Sequence, residues 1–337
     1  MPSSQPVRVA RRTAVALAAV SVTVAGVTGC SSTSDDDASS IVRKTTAIAG
    51  AGVVTVERDT SGACAAPTPP DPGAPDPQRI VVLDSGALDS VCALGVWDRV
   101  VGATVSPVDG ERPSYLGAGI AQLPSIGPEG APDVDRIAAA APDLILASAP
   151  PSPDVDARLT TIAPTVSVGA DPAQWKPRFL ATGAALGRSG AAQQALDAYT
   201  ADAARAGDDL GARQTQASVI RFGADTAVVE GPGSFSGQVL ADIGVARPGP
   251  QRIETETAPL DDLTAAEGDL IYVGFDGPDG LSHGTDVLES DAWLDLGAAT
   301  DNRVFAVDDD VWNTGNGIVA ARAVIADVRS SLNGYAS

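Results

Sequence analysis

From residue 79 onward, short apolar runs rich in β-branched residues alternate with segments of helical periodicity. In the first half of this region the runs predict five strands, and the segments between them predict helices around 86–95 and from about 133. Strands that alternate with helices are typical of a parallel α/β sheet, so we expect residues 79–171 to form one α/β lobe. The predicted strands are RIVVLD, VVGATV, LPSIG, DLILAS and TVSVG.

Residues 172–206 carry almost no strand pattern and predict a long helix, which could break near residues 187–190. A second α/β unit follows over residues 212–337, with predicted helices at about 234–243 and 316–332. The pattern therefore predicts an α/β fold of two Rossmann-like lobes joined by one long α-helix over residues 172–211. The strands of the second unit are SVIRFG, TAVVEG, DLIYVG and RVFAVD.

The two predicted lobes share an internal repeat. Residues 133–148 align with residues 259–274, which matches Asp135 to Asp261 and Asp143 to Asp269. The repeated unit is a short helix that leads into a buried strand. Because open α/β sheets bind ligands beside the carboxyl ends of their strands, we expect a ligand cleft between the lobes.

The N-terminal segment has the pattern of an export signal. Three arginines precede the uncharged stretch 13–29, which ends in Val-Thr-Gly before Cys30. This order predicts a lipoprotein signal peptide over residues 1–29, whose removal leaves Cys30 as the lipidated N-terminus. A bare transmembrane anchor is the alternative, although the apolar stretch is short for a span, which needs about 20 residues.

Residues 30–78 are rich in Ser, Asp, Gly, Ala and Pro, which predicts a flexible tether without a core of its own. Cys64 lies in this tether, and Cys92 lies in the first predicted helix. In an exported protein these two cysteines either form a disulfide or remain free thiols. The sequence leaves both alternatives open.

Charge and the scarcity of soft ligands exclude several classes of protein. The chain has 22 Lys and Arg against 43 Asp and Glu, a net charge of −21. Such an acidic chain is a poor partner for nucleic acid or anionic lipid. A single histidine and three cysteines are too few for a structural zinc site or a zinc hydrolase, so we expect no resident metal and no cofactor.

Several segments, taken in order over residues 79–332, resemble the iron-siderophore binding proteins of ABC importers, a class that also includes haem and cobalamin binders. The resemblance implies a monomer on the extracytoplasmic face of the membrane, which is not an enzyme and which passes a ferric siderophore to an ABC permease. Haem or a corrinoid is the alternative ligand, and a lipoprotein enzyme on an α/β fold is the rival from another class. The segments are RIVVLDSGALDSVCALGVWDRVVGAT, LPSIG with DVDRIAAAAPDLIL, VEGPGSFSGQVLADIGVARP and WLDLGAATDNRVFAVDDDVW.

Seven side chains are candidates for the ligand cleft. Ser85 and Ser148 follow predicted strands, and Arg221 ends one, where a guanidinium can meet two metal-ligating oxygens at once. Trp312 matches the tryptophan that faces the ligand in the resembling family. A structural salt bridge is the alternative for Arg221, and a core position is the alternative for Trp312. The resemblance adds three residues from variable loops, Tyr115, Arg112 and Arg252.

The resemblance also implies how the protein would contact its permease. In the resembling family, each lobe carries an acidic residue near the start of the helix before its buried strand, and the two acids meet arginines of the permease. The matching residues here are Asp135 and Asp261. Stabilisation of a helix N-terminus is the local alternative for both.

Two further motifs, a glycine-rich segment and the single histidine, suggest nucleotide binding or catalysis at first sight. GPGSFSG at 231–237 has the spacing GxGxxxG rather than the GxGxxG of dinucleotide-binding loops, so turn and helix N-cap geometry is the preferred interpretation. His283 lies in PDGLSHGTD, which reads as a glycine-rich loop, and no GxSxG elbow accompanies it. We expect His283 to be exposed or to form local hydrogen bonds, with a haem or iron contact as the alternative.

Overall fold

The computed structural model describes residues 47–54, 58–149, 152–252 and 257–333. The predicted signal peptide over residues 1–29 and the predicted lipidation site Cys30 lie outside the described residues. In the part of the chain that is described, two β-sheets organise two lobes, and no helix is long and apolar enough to cross a membrane.

Most predicted strands and helices are present within a few residues of their predicted bounds. The strands are β1 Ala47–Ile48, β2 Ala51–Val53, β3 Ile80–Val82, β4 Val100–Val105, β5 Ser125–Pro128, β6 Leu144–Ala147, β7 Thr165–Ser167, β8 Ala217–Phe222, β9 Ala227–Glu230, β10 Thr257–Pro259, β11 Leu270–Phe275 and β12 Val304–Ala306. The helices are α1 Ser85–Ala93, α2 Ala118–Ala121, α3 Val134–Ala139, α4 Pro153–Ile162, α5 Trp175–Ala185, α6 Ser189–Leu210, α7 Phe235–Ile243, α8 Gly277–Leu288, α9 Asp291–Leu294, α10 Gly297–Thr300, α11 Asp309–Trp312 and α12 Ile318–Asn333.

The sheet of the N-terminal lobe (N-lobe) is parallel throughout, with the strand order β5-β4-β3-β6-β7. Its central strands β3 and β6 are buried at every residue, which explains why the sequence shows continuous apolar runs there. The chain passes from β3 to β4 on one side and later returns to β6 on the other. The carboxyl ends of β3 and β6 therefore meet at a topological switch point, where open sheets bind ligands.

The sheet of the C-terminal lobe (C-lobe) has seven strands in the order β1-β2-β12-β11-β8-β9-β10. Strands β2, β12, β11 and β8 are parallel, and antiparallel strands extend the sheet at both edges. Strand β10 lies two antiparallel steps from β8 and so runs in the same direction. The carboxyl ends of β8, β10, β11 and β12 therefore share one edge of the sheet.

The internal repeat is confirmed at the strands. The Asp143 carboxylate, just before β6, accepts the backbone N–H groups of Gln78 and Arg79 at the start of β3, at 2.8 and 3.0 Å. In the same way the Asp269 carboxylate, just before β11, accepts the N–H of Gln216 before β8 at 2.7 Å. Each lobe thus uses an aspartate to satisfy backbone groups at the beginning of its central strand.

The helices before the two repeated strands differ. Helix α3 has Asp133 as its N-cap and Asp135 in its first turn. The C-lobe has only a 3₁₀ turn, Leu263–Ala266, whose N-cap is Asp262. Asp261 precedes this cap, so it lies near the start of a 3₁₀ turn, whereas Asp135 lies in the first turn of an α-helix.

The predicted interlobe helix is divided into two helices. Helix α5 ends at Ala185 and α6 begins at Ser189, which is the break that the sequence left open near residues 187–190. Helix α6 packs against α5, α7 and α12. The predicted helical connection over residues 172–211 is therefore present as two helices rather than one, and the 22-residue α6 is the longer of them.

The prediction of a flexible tether over residues 30–78 is wrong for residues 47–54, where β1 and β2 join the C-lobe sheet, and for residues 58–78, named here the arm. Cys64 and Cys92 form a disulfide, which decides between the two alternatives that the sequence left open. The buried guanidinium of Arg188 donates to Asp76 of the arm at 2.6 Å. A polar, proline-rich composition indicates a segment without a core of its own, but such a segment can still be ordered when a neighbouring lobe satisfies its backbone and charges.

One apolar core runs across both lobes. It contains Ile80 and Val82 from β3 of the N-lobe together with Ala217 and Val219 from β8 of the C-lobe, all buried. Between the sheets α1 packs against α5 and α12, and α12 packs against α6 and α7. Relative motion of the lobes would expose this apolar surface, so we expect the lobes to keep a fixed orientation.

A buried carboxylate joins the lobes within this core. Asp89 of α1 accepts the backbone N–H groups of Val319 and Ala320 in the first turn of α12, both at 2.9 Å. Gly317 allows the close approach, because a Cβ there would lie 2.3 Å from the Asp89 carboxyl group. Tyr115 also bonds to Asp89, and burial raises the pKa of Asp89 to about 6. An acid of the N-lobe thus caps a helix of the C-lobe.

Replacing Asp89 with alanine should therefore destabilise the whole fold. Two buried N–H groups of α12 and the Tyr115 hydroxyl lose their acceptor, so we expect the free energy of unfolding to fall by about 2 to 4 kcal/mol in urea titrations. The control is Asp133→Ala, which removes the exposed N-cap of α3 and should cost about 1 kcal/mol or less. Equal losses for the two variants would contradict a special role for Asp89.

Candidate functional site

A cavity of about 750 Å³, named here the interlobe cavity, lies between the lobes at the carboxyl ends of their strands. The N-lobe contributes Ser85 after β3, the loop 104–114 after β4, and Glu129 after β5. The C-lobe contributes Arg221 from β8, the segment 275–277 after β11, and the acids after β12. This is the position that the strand pattern predicted for a ligand cleft.

Ser85 lines the interlobe cavity, whereas Ser148 lies beside it. The Asp84 carboxylate caps α1 through the N–H of Ala87 and accepts both the N–H and the hydroxyl of Ser148, at 2.5 and 2.8 Å. Asp84 therefore bridges the ends of β3 and β6 at the switch point. Ser148 faces a much smaller pocket that it shares with Arg178.

Arg221 lines the cavity in an ion pair. Its Nε and Nη2 atoms donate to the two carboxylate oxygens of Asp309, both at 2.8 Å, and Asp276 lies 3.3 Å from Nη2. A quarter of the Arg221 side chain is exposed, so it contributes to the wall of the cavity. The salt-bridge alternative is therefore confirmed and Arg221 also faces the cleft, while its contact with the ligand stays a prediction.

Arg112 also borders the cavity, but its N–H groups are used within the protein. Its five guanidinium N–H donors have five backbone acceptors, which is the full donor capacity of an arginine. Arg112 thus holds the loop after β4 in place; it borders the cavity as predicted, but it has no N–H donor left for a ligand. The acceptors are the carbonyl oxygens of Ala103, Thr104, Ile120, Ala121 and Pro124, at 2.9–3.4 Å.

Trp312 is wholly buried, so the prediction that it faces the ligand is wrong. Its Nε1 donates to Asp327 at 2.9 Å, and its ring lies 4.3 Å from that of Tyr272. The one-turn helix α11 presents Asp309 and Asp310 to the cavity and places Val311 and Trp312 in the core. The core alternative is therefore correct.

Tyr115 and Arg252 are also misplaced by the prediction. Tyr115 is buried beneath the cavity, where it bonds to Asp89. Burial, and then the negative charges of Asp89 and Asp310, raise the pKa of its hydroxyl well above the ordinary value of 10. Arg252 is exposed at the end of a 3₁₀ turn and donates to the carbonyl of Arg247 at 2.8 Å. Neither side chain lines the interlobe cavity among the residues that the structure describes.

Sequence reasoning missed the acids of the cavity. Asp310 accepts the N–H and the hydroxyl of Ser114 at 2.9 and 2.8 Å, which links the C-lobe to the N-lobe across the cleft. Burial, and then the charge of Asp84, raises the pKa of Glu129 to about 7. Both acids follow predicted strands. The expectation that residues just after a strand line the cleft, which selected Ser85 and Ser148, therefore applies to Glu129 and Asp310 as well.

His283 does not line the cavity, and its surroundings differ from the prediction. PDGLSHGTD forms most of α8 rather than a loop. Its glycines permit close packing, because a Cβ at Gly280 would lie 2.3 Å from the Phe222 carbonyl oxygen, and one at Gly284 would meet the Phe275 ring at 2.5 Å. His283 Nδ1 lies 2.8 Å from the Gly223 carbonyl oxygen, which is the expected local hydrogen bond.

The segment 231–237 has the turn and cap geometry that its spacing favoured. Ser234 is the N-cap of α7, and its hydroxyl accepts the N–H of Gly237 at 3.1 Å. In the described part of the chain, no group of three or more His, Cys, Asp or Glu side chains is placed to hold a metal ion.

The two acids proposed from the internal repeat both lie at the edge that bears the cavity. Asp135 follows β5, and its side chain is 93% exposed while Arg158 lies 3.0 Å away. Asp261 follows β10 and is also exposed. Because the carboxyl ends of strands in both lobes border the cavity, the two acids lie on the same side of the molecule as its opening.

Two α/β lobes that enclose a cavity between their strand ends define a two-lobed ligand-binding protein. The chain belongs to the periplasmic binding protein family, whose model matches residues 80–311.

Among curated proteins, the probable siderophore-binding lipoprotein YfiY of Bacillus subtilis is 24% identical over 269 residues, which cover 76% of this chain and 82% of YfiY. The achromobactin-binding periplasmic protein of Dickeya dadantii is 26% identical over 268 residues, which cover 75% of this chain and 85% of that protein. The structure of Staphylococcus aureus SirA complexed with staphyloferrin B matches with a TM-score of 0.67 and 28% identity, over 77% of this chain and 94% of SirA. These similarities confirm the predicted class of binding protein.

The raised pKa of Glu129 predicts a stability that depends on pH. The folded protein keeps a proton on Glu129 up to about pH 7, whereas the unfolded chain releases it near the ordinary value of 4.5. The contribution of Glu129 to the free energy of unfolding therefore falls as pH rises from about 4.5 to 7. Glu129→Gln should raise Tm by about 2 to 4 °C at pH 8 and much less at pH 5. Equal shifts at both pH values, measured by calorimetry, would contradict this explanation.

Proposed function

We propose that this protein captures a ferric siderophore in the interlobe cavity and delivers it to an ABC permease. The observation that carries the proposal is the 750 Å³ cavity, which residues of both lobes line at the carboxyl edges of their sheets. Pockets of 300–1,000 Å³ are typical for small ligands and cofactors. The family match, and relatives named for siderophore and achromobactin binding, support a ferric chelate as the ligand.

The cavity lining supports a siderophore rather than haem. Haem iron usually takes an axial ligand from His, Tyr, Met or Cys. Among the described residues that line the cavity there is none of these, because Tyr115 lies beneath it and His283 bonds to Gly223 on the far side of β8. A siderophore brings its own iron ligands, so the protein needs only to surround the complex.

Titration of the purified protein with ferric chelates tests this function. Ferric complexes absorb in the range of tryptophan emission, so a bound chelate should quench the fluorescence of the four tryptophans. We expect a submicromolar dissociation constant for at least one class among ferric trihydroxamates, tricatecholates and citrate, and no comparable binding of haemin. The iron-free chelators are the control. Absence of binding by every ferric chelate would overturn the proposal.

Membrane attachment belongs to the same proposal. Export followed by lipidation of Cys30 would keep the protein on the extracytoplasmic face, beside its permease. A single acyl chain gives only marginal membrane binding, whereas a lipoprotein cysteine that carries more than one acyl chain would be held stably. The family and its lipoprotein relatives support this location.

Contact with the permease is assigned to Asp135 and Asp261, one exposed acid on each lobe at the edge that bears the cavity. Asp135→Lys combined with Asp261→Lys should abolish cellular uptake of the radioiron-labelled chelate found by titration. Its affinity for the isolated protein should stay within about twofold, because neither side chain lines the cavity. The assay compares uptake rates with dissociation constants for the same preparations.

A matched control is Asp208→Lys with Asp209→Lys. These exposed acids end α6, which leads into the amino end of β8, at the edge opposite the cavity. The control makes the same change in net charge and should leave uptake close to normal. Equal uptake by the two double variants would exclude the docking role and leave the capture of the chelate untouched.

A further inference from the structure

We propose that the interlobe cavity selects ferric chelates that carry positive charge, such as a trihydroxamate with a free ammonium group, over anionic carboxylate and catecholate chelates. This inference rests on the proposed function, because it names the charge class of the ligand in the same cavity. It follows from the charged side chains of the cavity wall and from what each arginine already binds.

Carboxylic acids predominate in the described lining of the cavity. Arg112 and Arg221 are its basic residues, against six acids contributed by both lobes. The acids lie on four segments, two in the N-lobe and two in the C-lobe, so they surround the cavity rather than form one patch. They are Asp109, Glu111, Glu129, Asp276, Asp309 and Asp310.

Both arginines are already committed to partners. Arg221 forms its two-pronged pair with Asp309 and lies near Asp276, so its charge is compensated within the wall. Arg112 retains its charge but has all five N–H donors on backbone carbonyls. An anionic chelate would therefore find no N–H donor left on Arg112, and on Arg221 only Nη1, in a guanidinium whose charge is already paired with Asp309 and Asp276.

A further cation, Arg178, lies outside the wall of the interlobe cavity. Arg178 of α5 is almost fully buried in the small pocket beside Ser148, next to Gly86 and Asn316. The charges of Asp84 and Asp171 act on its guanidinium. Arg178 lies outside the described lining of the interlobe cavity, and its Nη1 donates to the Gly169 carbonyl oxygen at 3.4 Å, so it is not one of the charges of the cavity wall.

Several acids of the wall have no cationic partner among the described residues. Glu111 and Glu129 lack an ion pair there, and Asp310 accepts hydrogen bonds only from Ser114. Residues 55–57, 150–151, 253–256 and 334–337, which lie outside the described ranges, contain no lysine or arginine. These four segments can therefore add no cation to the cavity wall.

This surplus has a direct consequence for ligand charge. Charges about 4 Å apart near a protein surface interact by a few kcal/mol before desolvation, attractively for an ammonium and repulsively for a carboxylate. An ammonium group can also donate hydrogen bonds to carboxylates that have unused acceptor positions. A ferric chelate with an ammonium arm therefore complements the cavity wall, whereas an anionic chelate would face unbalanced acids.

Desferrioxamine B supplies a matched series of probes. Its three hydroxamates neutralise Fe³⁺, and its terminal amine leaves the ferric complex with one positive charge at neutral pH. Acetylation of that amine makes the complex neutral, and succinylation gives it one negative charge, while the iron centre stays the same. Dissociation constants for the three ferric complexes are measured by tryptophan quenching at low and at high salt, at pH 8, where Glu129 with its pKa of about 7 is ionised and the terminal amine is still protonated.

We expect affinity to fall from the amine to the acetyl to the succinyl complex. The two ends of the series should differ by on the order of tenfold at low ionic strength, and the difference should shrink as salt screens the wall. The double variant Glu111→Gln, Glu129→Gln should flatten the series, because it removes two uncompensated acids. The control Asp208→Asn, Asp209→Asn removes two acids from the opposite edge and should leave the series unchanged.

A flat or reversed series in the native protein would overturn the inference. Tighter binding of ferric citrate or of a ferric tricatecholate than of the amine complex would do the same, while the proposed function would stand. If no ferric chelate of any charge binds, the proposed function itself fails. The three results are distinguishable in one set of titrations.

Discussion

Asp89 places a carboxylate from the N-lobe against the first turn of a C-lobe helix, inside a core that both lobes share. Such a group is costly to bury unless every acceptor position is used, so its hydrogen bonds hold α1 and α12 in one relative orientation. Ser85 begins α1, and Asn316 lies two residues before α12, and both line the interlobe cavity. The shape of the cavity therefore depends on this buried contact.

The use of polar side chains to hold the scaffold together also explains why the cavity wall is acidic. Arginines that a sequence comparison would assign to a ligand are used to build the wall: Arg112 anchors a loop through backbone carbonyls, and Arg221 is fixed by Asp309. Acids were not sought there, yet they form most of the charged surface. The chemistry of a binding site is thus set by the donors and acceptors that remain after the scaffold is satisfied.

The sequence predicted the scaffold well because strand burial leaves a direct pattern. The fully buried strands β3 and β6 appear in the sequence as continuous apolar runs. Residues at the ends of predicted strands, such as Ser85 and Arg221, were therefore expected at the cleft, and both line the cavity. Trp312 was misplaced because a one-turn helix has no periodicity from which its buried face could be read.

Glycine and proline caused the other errors. Gly280 and Gly284 are residues typical of a loop, but here they let α8 approach β8 and β11 closely. The proline-rich composition of the arm indicated a tether, but composition does not reveal partners that are distant in the chain, such as Arg188 for Asp76. Contacts of this kind depend on the tertiary fold and leave no local pattern.

The disulfide between Cys64 and Cys92 also sets an order of events during biogenesis. Thiols stay reduced in most cytosols, so this bond forms only after the chain has crossed the membrane. Before that point only non-covalent contacts hold the arm, such as the hydrogen bonds from Ala65 to the Cys92 carbonyl and from Thr68 to the Leu94 carbonyl, and the ion pair of Asp76 with Arg188. The disulfide is therefore the last contact of the arm to form, and in a chain retained in a reducing cytosol only non-covalent contacts would join the arm to the two-lobed body.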